Sequence, residues 1–227
     1  MQDLYRSGAY VENVPAFHTE DAAWKVQQIR RLIGRVNPHS ICDVGCGAGL
    51  ILKLLQQHLP ADATLHGYDI SSRGIEMSKQ HEQGGLRYFC EDLTALDVKP
   101  YDLLLAMDVF EHVEDYIGFL RKLRSKATFK MFHIPLEMTA RNAWFPSTIL
   151  LHRKQVGHIH YFNRETALAT LESAGYTICE AIYTPAYEQA AAVIGRRENL
   201  IRSLFRFASD DLTAHVIGGY SLMVLTQ

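Results

Sequence analysis

Between positions 21 and 36 apolar residues recur at three- and four-residue spacing, with Ala22, Val26, Ile29, Ile33 and Val36 on one face and Thr19 placed as an N-cap. This predicts an amphipathic helix. The pattern then changes to short apolar runs separated by helical stretches. It predicts strands over 41–44, 64–68, 86–90, 101–107 and 128–134, and helices over 50–57, 72–81 and 115–123. Such alternation argues for a parallel sheet wound with helices on both faces. Pro135 stops the fifth strand, and residues 135–157 run through Trp144, Phe145 and Pro146 without a clean period, as an insertion over the strand ends would. Asn163 caps a helix that reaches Ala174 and is closed by Gly175. Residues 176–183 read as a sixth strand and 219–225 as a seventh. Between them, 188–207 reads as a helix with Val193, Ile194, Leu200, Ile201, Leu204 and Phe205 on its apolar side. There are no repeats or linkers. The expectation is one doubly wound α/β domain over 1–227, with 1–36 as an N-terminal cap region and 135–157 as a substrate-side insertion.

At 227 residues and 48% hydrophobic content the chain is long enough for that one domain. Its net charge of -2 gives no general attraction to nucleic acid or an anionic membrane, outside any local basic patch, and favours a small-molecule substrate. Cys42, Cys46, Cys90 and Cys179 lie in or beside apolar segments without metal-type spacing, and read as reduced core residues. The first residues lack the basic start and apolar run of a signal peptide, and no segment is apolar for long enough to span a bilayer. A cytoplasmic protein is expected.

The chemistry begins at Asp43-Val44-Gly45-Cys46-Gly47-Ala48-Gly49, between the first strand and the next helix. Three alternating glycines let the backbone approach a ligand where a Cβ would collide. In a dinucleotide site the third glycine comes later, so that the helix N-terminus meets a pyrophosphate. Here Asp43 stands at the mouth of the loop, where it repels phosphate and attracts a cation. Strand two ends in Asp69, 22 positions after Gly47, where a doubly wound fold needs a partner for ribose hydroxyls; the other role for it, a helix N-cap, can be filled by Ser71 or Ser72. Strand three ends in Glu91-Asp92, and Asp92 is the better placed to accept from an adenine amino group.

Together these positions resemble class I S-adenosylmethionine-dependent methyltransferases, most closely the broad group of ubiquinone O-methyltransferases. Two further segments carry the resemblance, Met107-Asp108-Val109-Phe110-Glu111-His112-Val113 and Gly157-His158-Ile159-His160-Tyr161-Phe162-Asn163. It implies S-adenosylmethionine as methyl donor and a seven-stranded sheet of order 3-2-1-4-5-7-6 with the seventh strand antiparallel. The implied cofactor surface is Asp43, Gly45, Gly47, Gly49, Asp69, Ile70, Asp92, Leu93 and Met107, with Leu93 packing on the purine.

In such a sheet chemistry gathers at the carboxyl ends of the strands. Methyl transfer to a hydroxyl needs alignment, exclusion of water and removal of a proton, which suits a histidine. His112 is the first candidate base and His158 the second, with Glu111 beside them; His133 and His160 are also near this face. Alternatively Asp108, Glu111, His112 and His158 bind a divalent cation such as magnesium, which would acidify the acceptor. That set is similar to the E-x-x-E-H and distant His of metal-dependent small-RNA 2′-O-methyltransferases, with Asp108 one methylene shorter. Without a metal, Glu111 orients His112 or caps the helix. Tyr5, Tyr10, Phe17 and His18 on one side, and Arg141, Trp144 and Phe145 on the other, are candidates to enclose the acceptor. Arg196, Arg197, Arg202 and Arg206 form a basic patch or a solvated face. The leading reading is O-methylation of a small molecule such as a sugar, quinone or secondary metabolite, by a chain that can form a homodimer. The competing readings are RNA ribose methylation and non-methylating use of S-adenosylmethionine.

Overall fold

In the computed structural model, which describes residues 19–185 and 209–227, the apolar runs become strands β1 (Ser40–Val44), β2 (Thr64–Tyr68), β3 (Leu86–Phe89), β4 (Tyr101–Met107), β5 (Ala127–Pro135), β6 (Ile178–Thr184) and β7 (Ser221–Thr226). They form one sheet in the order β3-β2-β1-β4-β5-β7-β6. β1 to β5 run parallel, and β7 lies antiparallel between β5 and β6. The helices among the described residues are α1 (Ala22–Ile33), α2 (Leu50–Leu55), α3 (Ser72–Ser78), α4 (Tyr116–Leu123), α5 (Ala140–Trp144), α6 (Ser147–Gln155), α7 (Arg164–Ser173) and α8 (Asp210–Val216).

The central strands read as unbroken apolar runs because both faces are covered, and their two-residue period divides them between two cores. Leu103, Leu105 and Met107 of β4 join Ile41, Met131, Met223 and Leu225 on the face packed by Val26, Ile29 and Leu32 of α1. Leu104 and Ala106 join Cys42, Phe132, Ile134, Leu222 and Val224 on the face packed by Leu120, Leu123, Ala167 and Leu171. Asn163 caps α7 in a capping box with Thr166, as its sequence predicts.

Several elements differ from the sequence reading. Thr19 lies in a 3-10 turn, so the N-cap of α1 is Asp21, and the helix ends at Ile33 because Gly34 follows and Asn37 turns the chain at φ 47°. The insertion is not irregular: Thr139 caps α5, and Gly157, at φ 83°, closes α6. The sequence pattern predicts no helix at α8, which Ser209 caps. Cys90 and Cys179 are exposed rather than in the core, one just beyond β3 and the other on the edge strand β6; all four thiols are free. The helix read at 188–207, with its four arginines, and Tyr5, Tyr10, Phe17 and His18 fall outside the described residues.

The turn from β1 into α2 is closely packed. Gly49 sits at φ 77°, and a Cβ there would lie 2.5 Å from the Tyr88 ring and 2.7 Å from Ser78 Cβ. The Tyr88 hydroxyl donates to the Gly49 carbonyl at 2.5 Å. Gly49→Ala should therefore cost about 2–4 kcal/mol in urea unfolding. Gly34→Ala, at φ -61° with nothing within 4 Å, should be neutral or stabilise by up to about 1 kcal/mol. Equal effects at the two positions would contradict the packing described.

Candidate active site

The carboxyl ends of β1, β2, β4 and β5 open on a cavity of about 540 Å³, within the usual range for small-molecule sites. One end is formed by the glycine loop and by Asp69, Ile70, Glu91, Asp92, Leu93 and Met107; the other by His112, His133, His152 and His158. Gly45 is left-handed at φ 74° beneath Val109, whose Cγ2 would lie 2.8 Å from a Cβ. Asp69 fixes the loop: its Oδ2 accepts from the Gly47 amide at 2.8 Å and its Oδ1 from the Ser71 amide at 2.7 Å. Ser71 is the N-cap of α3, so Asp69 does not serve as that cap. Burial raises the Asp69 carboxyl, and the amides of Ser71, Gly47 and Ile70 oppose the shift. Asp92 Oδ1 accepts from the amide and hydroxyl of Thr94, and its other oxygen makes no hydrogen bond among the described residues.

Asp43 lies behind the loop, 1% exposed, with neither oxygen hydrogen bonded among the described residues. Burial, and then the charge of Asp69, push it up to about 8 against the opposing pull of Lys25. Buried carboxylates are ordinarily paired. Two acids against a glycine-rich loop therefore fit a ligand that is cationic at this end and carries no phosphate, as the ammonium and sulfonium of S-adenosylmethionine require.

The floor between the two ends is an ion-pair network absent from the sequence reading. Asp108 follows β4 at φ 57°, a strained conformation for a residue with a side chain, and its amide donates to the His133 carbonyl. Lys25 Nζ is 2.8 Å from Asp108 Oδ2 and 3.0 Å from Asp21 Oδ2. His133 Nδ1 is 2.6 Å from Asp108 Oδ1, and its Nε2 is 3.0 Å from the Thr184 hydroxyl. Burial alone would raise Asp108, but His133 and Lys25 outweigh it and hold the carboxyl well below its ordinary value. Asp108 is thereby engaged away from Glu111, His112 and His158, and the four do not form one ligand set.

The remaining three do converge. The Glu111 carbonyl accepts from the amides of Ile159 and His160 at 3.0 and 3.2 Å, which ties the loop after α6 to the turn after β4. The His112 and His158 rings lie 4.8 Å apart. One potential ligand atom from each of Glu111, His112 and His158 falls within 4.8 Å of the others. Glu111 is fully buried with neither oxygen hydrogen bonded among the described residues, and burial, then Asp108 and Glu137, push its pKa well up. It does not cap the following helix; Asp115 does. His160 is used structurally, its Nε2 bonding to the Val113 carbonyl at 2.9 Å.

Glu137, two residues beyond β5, was missed as a site residue. Its Oε2 is 2.9 Å from His158 Nδ1, and its Oε1 bonds to His152 Nδ1 on α6. Although burial raises it, these two histidines bring the Glu137 carboxyl down to about 2. Its position at a parallel strand's carboxyl end was a usable signal, as was Lys25 on the apolar stripe of α1. Nothing in the spacing pointed to His152.

Comparison with known proteins agrees with this geometry. A family model described as a methyltransferase domain matches residues 17–181. A ubiquinone biosynthesis O-methyltransferase of Coxiella burnetii is 35% identical over 80 residues, 33% of each chain. One from Methylocella silvestris is 38% identical over 86 residues, 36% of this chain and 32% of that one. The aligned stretch thus spans about a third of the length of these curated relatives. Among solved structures, magnesium protoporphyrin IX methyltransferase from Synechocystis PCC 6803 with bound SAH superposes with a TM-score of 0.60 at 16% identity, covering 95% of this chain and 85% of that one. The cyclase SpnF superposes with a TM-score of 0.55 at 15% identity, covering 83% and 74%. These likenesses show the fold. With the family model covering residues 17–181, the chain belongs to the methyltransferase-domain family, the class I S-adenosylmethionine-dependent methyltransferases.

Proposed function

We propose that this chain transfers the methyl group of S-adenosylmethionine to an oxygen of a small molecule, with His158 as the general base. The observation that carries the reading is one cavity with a glycine loop and acidic strand ends at one end and the Glu137, His158, His112 cluster at the other. Kinship with O-methyltransferases of ubiquinone biosynthesis supports oxygen as the acceptor atom. The bound cofactor supplies a methyl group on a sulfonium, which needs no further activation.

The chain's own residues do the rest. Asp69 and Asp92 offer acceptors to ribose hydroxyls and an adenine amino group. Ile70, Leu93 and Met107 offer apolar surface, and Gly45, Gly47 and Gly49 leave room for the methionine part over the charge of Asp43. Glu137 accepts from His158 Nδ1, which fixes the ring and leaves Nε2 to take the acceptor's proton. His112 packs edge-on to that ring and limits its motion. His158 takes precedence over His112 as the base because the Glu137 carboxylate orients its ring.

A second reading keeps a divalent cation at Glu111, His112 and His158, supported by the convergence of their ligand atoms and by the uncompensated Glu111 carboxyl. One carboxylate and two imidazoles suit zinc or iron better than magnesium. The ion would acidify an acceptor hydroxyl in place of the base.

Asp69→Ala should weaken S-adenosylmethionine binding in calorimetry by at least about tenfold. With a panel of phenolic and alcoholic acceptors, His158→Ala should lower kcat about 10²–10³-fold with unchanged cofactor affinity, and Glu137→Gln should lower the same parameter less. Full turnover in His158→Ala with loss in His112→Ala would transfer the role to His112. For the second reading, zinc or ferrous iron should raise the Tm of the chelated protein, and Glu111→Gln should abolish the rise. A Tm indifferent to every divalent cation would remove the metal.

A further inference from the structure

Glu137 bridges two histidines that reach it from different elements, His152 from α6 and His158 from the loop behind it, each through Nδ1. One potential ligand atom from each of the three falls within 4.8 Å of the others. Backbone contacts hold all three in place. The Glu137 carbonyl accepts from the Asn142 side-chain amide at 2.8 Å, the Gly157 amide closes α6 on the His152 carbonyl at 3.0 Å, and the Tyr161 hydroxyl donates to the His158 carbonyl at 3.0 Å. The Glu137 and His158 side chains are 10% and 12% exposed, while that of His152, at 40%, is reachable from solvent. Both histidines line the cavity.

One carboxylate and two imidazoles are a donor set for zinc and its neighbours rather than for magnesium or calcium. Donors around a tetrahedral zinc stand about 3.3 Å apart, so the 2.9 Å contact between Glu137 and His158 opens by about 0.4 Å to admit the ion. The Glu137 carboxyl, brought down to about 2, is ionised at neutral pH, as a ligand must be. We propose that Glu137, His152 and His158 form a site for zinc or a similar divalent cation, and that the ion switches the base off rather than assisting transfer. The switch rests on the reading of His158 as the base; the site does not. A neutral imidazole carries one ring proton. Without the ion that proton lies on Nδ1, donated to Glu137, and the Nε2 lone pair can take a proton from the acceptor. An ion on Nδ1 occupies that nitrogen's lone pair, so the same proton moves to Nε2 and the ring has no lone pair left to offer. The ring gains and loses no proton. Because this set shares His158 with Glu111 and His112, one ion occupies one set or the other, and the two have opposite consequences for turnover.

In calorimetry on the full chain, freed of metal by chelator, zinc should bind at about one equivalent while magnesium does not. Glu137→Gln and His152→Ala should each weaken zinc at least about tenfold, and Glu111→Gln should not. The partly exposed His152 can be replaced with little risk to the fold. With isotope-labelled histidine, the ring-nitrogen NMR signals of His158, identified by their loss in His158→Gln, should place its proton on Nδ1 without zinc and on Nε2 with it. Saturating zinc should lower turnover of the phenolic and alcoholic panel at least about tenfold with S-adenosylmethionine affinity unchanged. His152→Ala, whatever its own rate, should escape that loss at the same zinc concentration. The proposal is overturned if zinc does not bind, if it binds as tightly in both variants as in the unaltered chain, or if Glu111→Gln removes it. It is also overturned if the His158 proton stays on Nδ1 in the zinc complex, or if zinc leaves turnover unchanged or raises it. Failure of His158 as the base is recognised separately, by full turnover in His158→Ala, and leaves the binding measurements to decide the site.

Discussion

Negative charge buried at one end of the sheet is the constraint on which the rest of the structure turns. Asp43, Asp69, Asp108, Glu111 and Glu137 all lie around or behind a single cavity, and a carboxylate removed from water must find hydrogen bonds, a countercharge or a proton. Three of them are answered within the chain. Asp69 is held by backbone amides, Asp108 by Lys25 and His133, and Glu137 by His152 and His158. Each answer also builds something: Asp69 shapes the glycine loop, Asp108 fixes the strained turn after β4, and Glu137 joins α6 to the loop that carries His158. Asp43 and Glu111 find no hydrogen bond among the described residues, and burial pushes both carboxyls toward the protonated form. One stands beneath the proposed methionine end of the cofactor and the other beside the proposed base, where a ligand would complete them.

The same interactions determine which parts can move. β1 and β4 are central strands buried on both faces, and the loop between β1 and α2 is held by Asp69 and Tyr88. The cofactor end is therefore preorganised. The proposed acceptor end is assembled from α6 and the loop after it, attached mainly through the Glu137 bridge and the Glu111 carbonyl. A preformed donor site and an acceptor site closed by an insertion let one fold serve many acceptors, because the insertion can change without disturbing the sheet.

The readable part of this chain was local. Strand periodicity, the glycine spacing and the acids at the ends of β1, β2 and β3 lie within a few residues of the elements they define, so the sheet, with the glycine loop and these acids at its carboxyl edge, followed from them. Its order, 3-2-1-4-5-7-6, came from the family resemblance and is the order observed. The acceptor end was read less well because its partners are distant in sequence. Asp108 looked like a ligand beside Glu111 and His112, but its side chain turns to Lys25, more than eighty positions earlier. His152 became part of the site only when residues 135–157 formed helices instead of the irregular segment their pattern suggested. Lys25 could have been found as a cation interrupting an apolar stripe.

The central claim is that the uncompensated Asp43 carboxyl is completed by the cationic end of S-adenosylmethionine, and proton linkage tests it most directly. Because burial and Asp69 raise its folded pKa to about 8, above the ordinary aspartate value, the account expects Asp43 to hold a proton at pH 7 in the unliganded protein. A cation bound nearby returns it to the ionised form. Calorimetric titration with S-adenosylmethionine at pH 7, in buffers of different ionisation enthalpy, should show release of about one proton per cofactor bound. Asp43→Asn should bind more weakly and release none. Tight binding with no proton released from the unaltered protein, or the same release from Asp43→Asn, would contradict the account.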